Sequence, residues 1–126
     1  MKPPVETIRL SKSDRDRLNK IKRNTGLESW NTICRLALLL GLHARESATI
    51  SSHEKRDAIE IKWDTFAGRW ANIYAGLILL SHSKLPQKNK ITLSEYTHTR
   101  IEHGILIMIK SGTLDETSKF KDLIIN

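Results

Sequence analysis

Between Trp30 and Leu42 the chain carries one charged side chain, Arg35, in the run WNTICRLALLLGL. At helical spacing Trp30, Ile33, Ala37 and Leu40 form a stripe, and Leu36, Leu38 and Leu39 widen it until the helix is apolar nearly all round. Such a helix has to be covered on more than one side. With 126 residues available, the cover is expected from the other helices of the chain and from a second subunit.

The rest of the sequence supplies those helices. Pro3 and Pro4 keep the first residues out of a helix. Val5–Leu10 alternates, with Val5, Thr7 and Arg9 on one side and Glu6, Ile8 and Leu10 on the other, which predicts a short strand. Ser11 or Ser13 then caps a first helix with Asp14 and Asp16 in its opening turn. Asp14, Leu18 and Ile21 share its inner face, while Lys12, Asn19, Lys20 and Arg23 lie opposite, flanked by Arg15 and Lys22. Gly26 stops this helix and Ser29 caps the apolar one, which runs to about His43.

Arg45–Arg56 reads as a polar loop and Ala58–Lys62 as a second short strand. Asp64 or Thr65 is expected to cap the longest apolar helix, where Phe66, Trp70, Ile73, Tyr74, Leu77 and Leu80 recur at helical spacing. Thr92-Leu-Ser-Glu95 is a capping box for a helix to about Lys110, with Ile101, Ile105, Met108 and Ile109 inward and Gly112 beyond its end. A second box, Thr113–Glu116, opens a short final helix with Phe120, Leu123 and Ile124. The fold class expected is mainly α: one compact helical domain over residues 1–126, with a short N-terminal strand and a ribbon-helix-helix-like first half.

Charge is distributed unevenly. Of the net +7, residues 1–45 hold ten Lys/Arg against four Asp/Glu, and residues 46–126 hold eleven against ten. A basic half joined to a near-neutral half favours a polyanionic partner, of which nucleic acid is the commonest. The apolar run Trp70–Leu80 is shorter than the roughly 20 residues that span a bilayer, and the N-terminus lacks the apolar core of a secretory signal. The single cysteine, Cys34, fits a reducing compartment and a buried small hydrophobe. A cytoplasmic location without membrane contact is expected.

Catalytic patterns are weak. His98 and His103 lie five residues apart, about 140° around a helix, where a zinc-binding pair needs one face. No Gly-x4-Gly-Lys-Ser/Thr phosphate loop occurs, Cys34 has no second cysteine for a cluster, and no carboxylate group suggests a magnesium site. Ser81-His82-Ser83 reads better as a polar helix end than as a nucleophile–base pair. The sequence therefore offers no catalytic residue, metal site or cofactor.

Three readings follow: a non-catalytic DNA-binding subunit, a ribbon-helix-helix repressor, and a DNA-nicking enzyme with an unfamiliar site. In the repressor, Thr7 and Arg9 would read bases from a two-chain ribbon and the helix N-terminus near Ser29 would hold phosphate. About eighty residues with apolar helices follow the point where such a repressor domain is complete.

Five segments, in order, carry a resemblance. They are Ile8-Arg-Leu-Ser11, Lys22-Arg-Asn-Thr-Gly-Leu27, Cys34-Arg-Leu-Ala-Leu38, Glu60-Ile-Lys-Trp-Asp-Thr-Phe-Ala-Gly68 with Ile73-Tyr74, and Arg100-Ile-Glu-His-Gly-Ile105. Across residues 7–112 the chain resembles the DndE family of DNA sulfur modification proteins. The resemblance implies a small helical subunit of the bacterial phosphorothioation machinery, tetrameric and binding duplex DNA with a preference for nicks. It further implies that the sulfur chemistry lies in partners: a cysteine desulfurase, an iron–sulfur protein and an ATPase. The residues expected to meet DNA are Arg9, Lys12, Arg15, Lys20, Lys22 and Arg23, with Asn24, Thr25 and Gly26 offering backbone amides. Arg17, beside the inner face, is expected to be structural.

Overall fold

The computed structural model of the chain describes residues 2–44, 54–87 and 90–110. In order they form β1 (Thr7–Leu10), α1 (Lys12–Thr25), α2 (Trp30–His43), β2 (Ile59–Lys62), α3 (Trp63–Ala67), a 3-10 turn (Gly68–Trp70), α4 (Ala71–Ser83) and α5 (Leu93–Lys110). The Thr113–Glu116 capping box, Gly112, the final helix and most of the polar loop from Arg45 lie outside the described residues.

The two strands pair with each other. β1 and β2 run antiparallel with Ile8 opposite Ile61, Arg9 opposite Glu60 and Leu10 opposite Ile59. The alternation seen in sequence sends Ile8, Leu10, Ile59 and Ile61 into the core and leaves Arg9, Glu60 and Lys62 outside. The Ser11 hydroxyl accepts the Asp14 N–H at 3.2 Å and so caps α1. Gly26 ends it at φ 73°, a conformation that costs glycine little, with its N–H bonded to the Lys22 carbonyl at 3.0 Å. Ser29 caps α2 by accepting the Asn31 N–H at 3.1 Å.

One expectation fails after β2. The apolar stretch from Asp64 to Leu80 is two helices, and the residue before the first is Lys62, which gives no side-chain cap. Gly68 breaks it at φ 57°, ψ −141°, a backbone conformation that side-chain-bearing residues avoid. Arg35, the lone charge of α2, reaches across to donate to the carbonyls of Phe66 (2.5 Å) and Thr65 (3.4 Å), holding the end of α3. The break separates the apolar stripe into parts with different fates. Phe66 is fully buried, whereas Trp70, Ile73, Leu77 and Leu80 are 41–58% exposed. The buried residues of α4 are Ala75 and Ile78, on its other face.

The central element is α5. Every residue from Tyr96 to Glu102 is buried, polar ones included. Thr97 and Thr99 donate to carbonyls of their own helix, Arg100 donates to the Gly41 carbonyl at 3.2 Å, and Glu102 accepts from Arg56. Burial of these groups is tolerable because each side chain is bonded, although the buried Nε of Arg100 has no partner among the described residues. The capping box at its start is half made: Thr92 accepts the Glu95 N–H at 3.1 Å, but the Glu95 carboxylate turns to Arg56 instead of back to Thr92. The most extensive helix–helix contact joins α5 to α2. It is made close by Gly104 against the Ala37 carbonyl and Gly41 against the Arg100 carbonyl.

Candidate nucleic-acid interface

α1 is fixed from below and basic above. Leu18, Ile21 and Thr25 are fully buried, and the buried Asp14 carboxylate receives the Arg17 guanidinium at 3.1 Å. That contact gives Arg17 the structural role expected of it. Burial raises the Asp14 pKa, against the lowering effect of Ser11 and Arg17. At the N-terminal end the Glu54 carboxylate accepts the Ser13 N–H at 3.2 Å. With that base held, Lys12, Arg15, Lys20, Lys22 and Arg23 share an arc of roughly 160° at 100° per residue, along a helix about 21 Å long. Lys12, Lys20, Lys22 and Arg23 are exposed, Arg15 is half-buried, and Asp16 is the one acid within the arc.

The other residues expected at this surface have different fates. Arg9 is exposed, but its guanidinium pairs with Glu60 across the strands at 2.8 Å, so part of its charge is answered within the chain. Thr25 is buried. Its hydroxyl donates to the Ile21 carbonyl at 2.7 Å and accepts the Leu27 N–H at 3.2 Å. Asn24 and Thr25 belong to the last turn of α1, and the Gly26 N–H is used by its C-cap. The backbone amides expected from Asn24, Thr25 and Gly26 are therefore committed to closing the helix. The physical reason is the tight αL stop itself, which turns these groups back onto α1.

Two features here are not legible in the sequence. Asn19, Lys22, Arg23, Gly26, Leu27 and Glu28 line a shallow cleft where α1 turns toward α2. The Trp30 indole N–H donates to Asn19 Oδ1 at 3.2 Å, which leaves the amide nitrogen of Asn19 as the donor on its other side. The helix spacing places Asn19 on the basic face but gives no sign that a residue of α2 orients it. The second feature is His98. Its Nε2 accepts the main-chain N–H of Arg9 at 3.0 Å and its Nδ1 lies 2.8 Å from the Ser94 carbonyl, to which it donates. The free edge of β1 is thereby held by α5. Burial lowers the His98 pKa from its ordinary value.

Other reactive side chains are engaged elsewhere. Cys34 is fully buried, and burial pushes its thiol up to about 12. Ser81 shares a short hydrogen bond with the Tyr96 hydroxyl, while His82 Nε2 lies 2.6 Å from the Ile91 carbonyl. Ser83 donates to the Leu80 carbonyl at 2.7 Å. The Ser81-His82-Ser83 run is thus not assembled as a nucleophile and its base.

The family model for the DNA sulphur modification protein DndE matches residues 7–116, nearly the whole chain. The chain belongs to the DndE family. It therefore belongs to the DNA phosphorothioation system. The fold agrees: the crystal structure of DndE from Escherichia coli B7A, a protein involved in DNA phosphorothioation modification, superposes with a TM-score of 0.65. The two chains are 23% identical over 86% of this one and 98% of the other, a likeness of fold. Among curated proteins, none matches significantly. Among the described residues of this DndE-family protein, no helix is long and apolar enough to cross a membrane.

Proposed function

We propose that this chain is a DNA-binding, non-catalytic subunit of the phosphorothioation machinery, contacting duplex DNA through the exposed arc of α1 and preferring a nicked duplex. The observation that carries the reading is the set Lys12, Arg15, Lys20, Lys22 and Arg23 on one face of a helix whose other face is locked into the core. Cations at fixed spacing on a rigid helix suit the phosphate backbone and carry no base code. Sulfur chemistry belongs to partner proteins in this reading: a cysteine desulfurase, an iron–sulfur protein and an ATPase, all cytoplasmic.

The exposed apolar face of α4 supports assembly into a homotetramer. Ile73, Leu77 and Leu80 lie together on that face, beside Gly76, whose side has open space. Apolar side chains grouped in this way favour association with another surface. Each added copy brings another basic arc, so the field at the DNA grows.

The repressor reading fits less well, because β1 is already engaged on both sides. β2 occupies one edge and His98 takes the Arg9 N–H on the other. Titration of the protein into intact and nicked duplexes of several sequences, across a salt series, tests the proposal. The expected result is sequence-tolerant binding that weakens steeply with salt, by ~0.9 in log K per log salt for each phosphate neutralised. A strong preference for one palindrome would restore the repressor, and cleavage of intact duplex that a point mutation abolishes would restore the enzyme.

A further inference from the structure

The ring of His98 joins two elements that are far apart in sequence, β1 and α5. Its Nε2 accepts a hydrogen bond from the Arg9 main chain in β1, at 3.0 Å. Its Nδ1 donates to Ser94 in α5, at 2.8 Å. Only a neutral imidazole with its proton on Nδ1 makes both bonds at once. A second proton on Nε2 would convert that acceptor into a donor facing the Arg9 N–H. The strand would then lose its bond to α5, and one of two donors would be left buried without a partner.

The charged surroundings reinforce this. Arg9 on β1 and Arg56 from the segment ahead of β2 both oppose a positive ring, while Glu95 on the same helix favours it. Glu95 is already bonded to Arg56 through both carboxylate oxygens, at 2.8 and 3.0 Å. Glu102, also held by Arg56, and Asp14 of α1 complete the cluster. Among the described residues the ring's hydrogen-bond partners are these two main-chain groups and no carboxylate.

The strand held by His98 is the one that leads into the basic face. Arg9 is followed by Leu10, then by Ser11, the cap of α1, and then by Lys12, the first cation of the arc. We propose that His98 is a proton-gated clasp: neutral, it fastens β1 to α5 and sets the start of the DNA-facing helix; protonated, it releases the strand edge and loosens that start. The sign follows from the geometry. The folded state binds the proton less readily than the unfolded chain, so the clasp is fully present above the ordinary histidine pKa of about 6.5 and is lost as pH falls below it. Acid therefore weakens order at β1 and at the α1 N-terminus before it disturbs the α2–α5 contact.

The consequence for DNA rests on the proposed function, but the clasp does not, and the test separates them. Amide exchange at Arg9 and the ring-nitrogen shifts of His98 are followed by NMR from pH 7.5 to 5.0, with the helical circular dichroism as a check on global folding. The expected result is an Nδ1–H tautomer at pH 7.5 and an Arg9 protection factor, corrected for the intrinsic slowing of exchange in acid, that is at least tenfold lower at pH 5.0, with the core amides of α2 and α5 still protected. His98→Gln keeps an acceptor near the Nε2 position without a titratable proton. In that variant Arg9 protection is expected to lose its dependence on pH across this range. A ring that is already charged at pH 7.5, or an Arg9 protection factor that changes with pH equally in wild type and His98→Gln, overturns the clasp. Binding to a nicked duplex forms the second arm: a clasp that titrates without any change in DNA affinity would leave His98 a purely structural switch and would count against the α1 face as the binding surface.

Discussion

Gly104 of α5 lies so close to the main-chain carbonyl of Ala37 in α2 that a Cβ at position 104 would overlap the oxygen. Gly41 makes the reciprocal approach, from α2 onto the Arg100 carbonyl of α5. In both cases the obstacle is backbone, which cannot rotate away as a side chain can. Gly104→Ala gains about 1 kcal/mol of helix propensity, but it forces the two central helices apart. The expected outcome is a net loss of about 2 kcal/mol or more, as overpacking costs outrun the propensity gain. Urea denaturation with an unchanged m-value checks it. A variant as stable as wild type would show that the helices do not meet as closely as described.

Arg56 is the side chain on which the buried acid of α5 depends. It donates twice to Glu102, whose side chain is 4% exposed, and twice to the more open Glu95. Removing the cation while leaving the acid orphans a buried charge. Arg56→Met should cost about 3 kcal/mol, the low end for such a break because Arg56 itself is partly solvated. Burial already holds the Glu102 pKa above its ordinary value, against the lowering effect of Arg56, so the variant should gain stability as pH falls and Glu102 protonates. Arg56→Met/Glu102→Gln should recover part of the loss at pH 7. If the double variant is no better than the single one, the pair is not the source of the cost.

Charge reversal on the arc is the direct test of the DNA face. Lys20 and Arg23 are exposed, so Lys20→Glu/Arg23→Glu leaves the core untouched. The slope of log K against log salt is expected to fall by about 2, and affinity at low salt by roughly tenfold or more. Unchanged affinity with an intact circular dichroism spectrum would place the binding face elsewhere.

The apolar face of α4 makes a separable prediction. Ile73 and Leu80 are 57% and 58% exposed in a single chain, so polar replacements there cost the monomer little. Ile73→Ser/Leu80→Ser should shift the assembly to a smaller species by light scattering while the α1 arc stays intact. A tetramer that survives both changes would mean that another surface joins the subunits.

Cys34 offers a simple probe of packing. With its thiol fully buried and pushed up to about 12, it should resist a thiol reagent at pH 8 in the native state and react once the protein is unfolded. Rapid native labelling would place Cys34 at an open surface rather than on the buried face of α2.

Much of this architecture was readable from local pattern alone. The caps at Ser11 and Ser29, the αL stop at Gly26, the alternation of the strands and the basic arc of α1 depend on neighbours a few residues away, whose spacing a sequence displays. The apolar run of α2 marked it for burial, and Ile33, Cys34, Ala37 and Leu38 are indeed fully buried. Other features needed the fold. That β1 pairs with β2, that His98 holds the other edge of β1 and that Arg56 serves Glu102 are contacts across 46 to 89 residues, set by how helices pack. A glutamate, a histidine and an arginine in α5 look solvent-facing by polarity. They are buried because α5 runs through the centre, where every side is occupied and each of these side chains finds a partner, Arg100 through one guanidinium nitrogen while its Nε stays unbonded.

The apolar stripe around α4 shows the boundary between the two kinds of information. The sequence by itself determined that this stretch is helical and greasy, because periodicity and side-chain chemistry are local. Only the tertiary structure decided that Gly68 would break it, that Phe66 would go inward and that Ile73, Leu77 and Leu80 would face outward. A glycine in an otherwise helical pattern is ambiguous until its backbone angles are fixed by what packs on either side. Here that partner is Arg35, whose guanidinium takes the carbonyls of Thr65 and Phe66 and so stops α3 before the turn to α4.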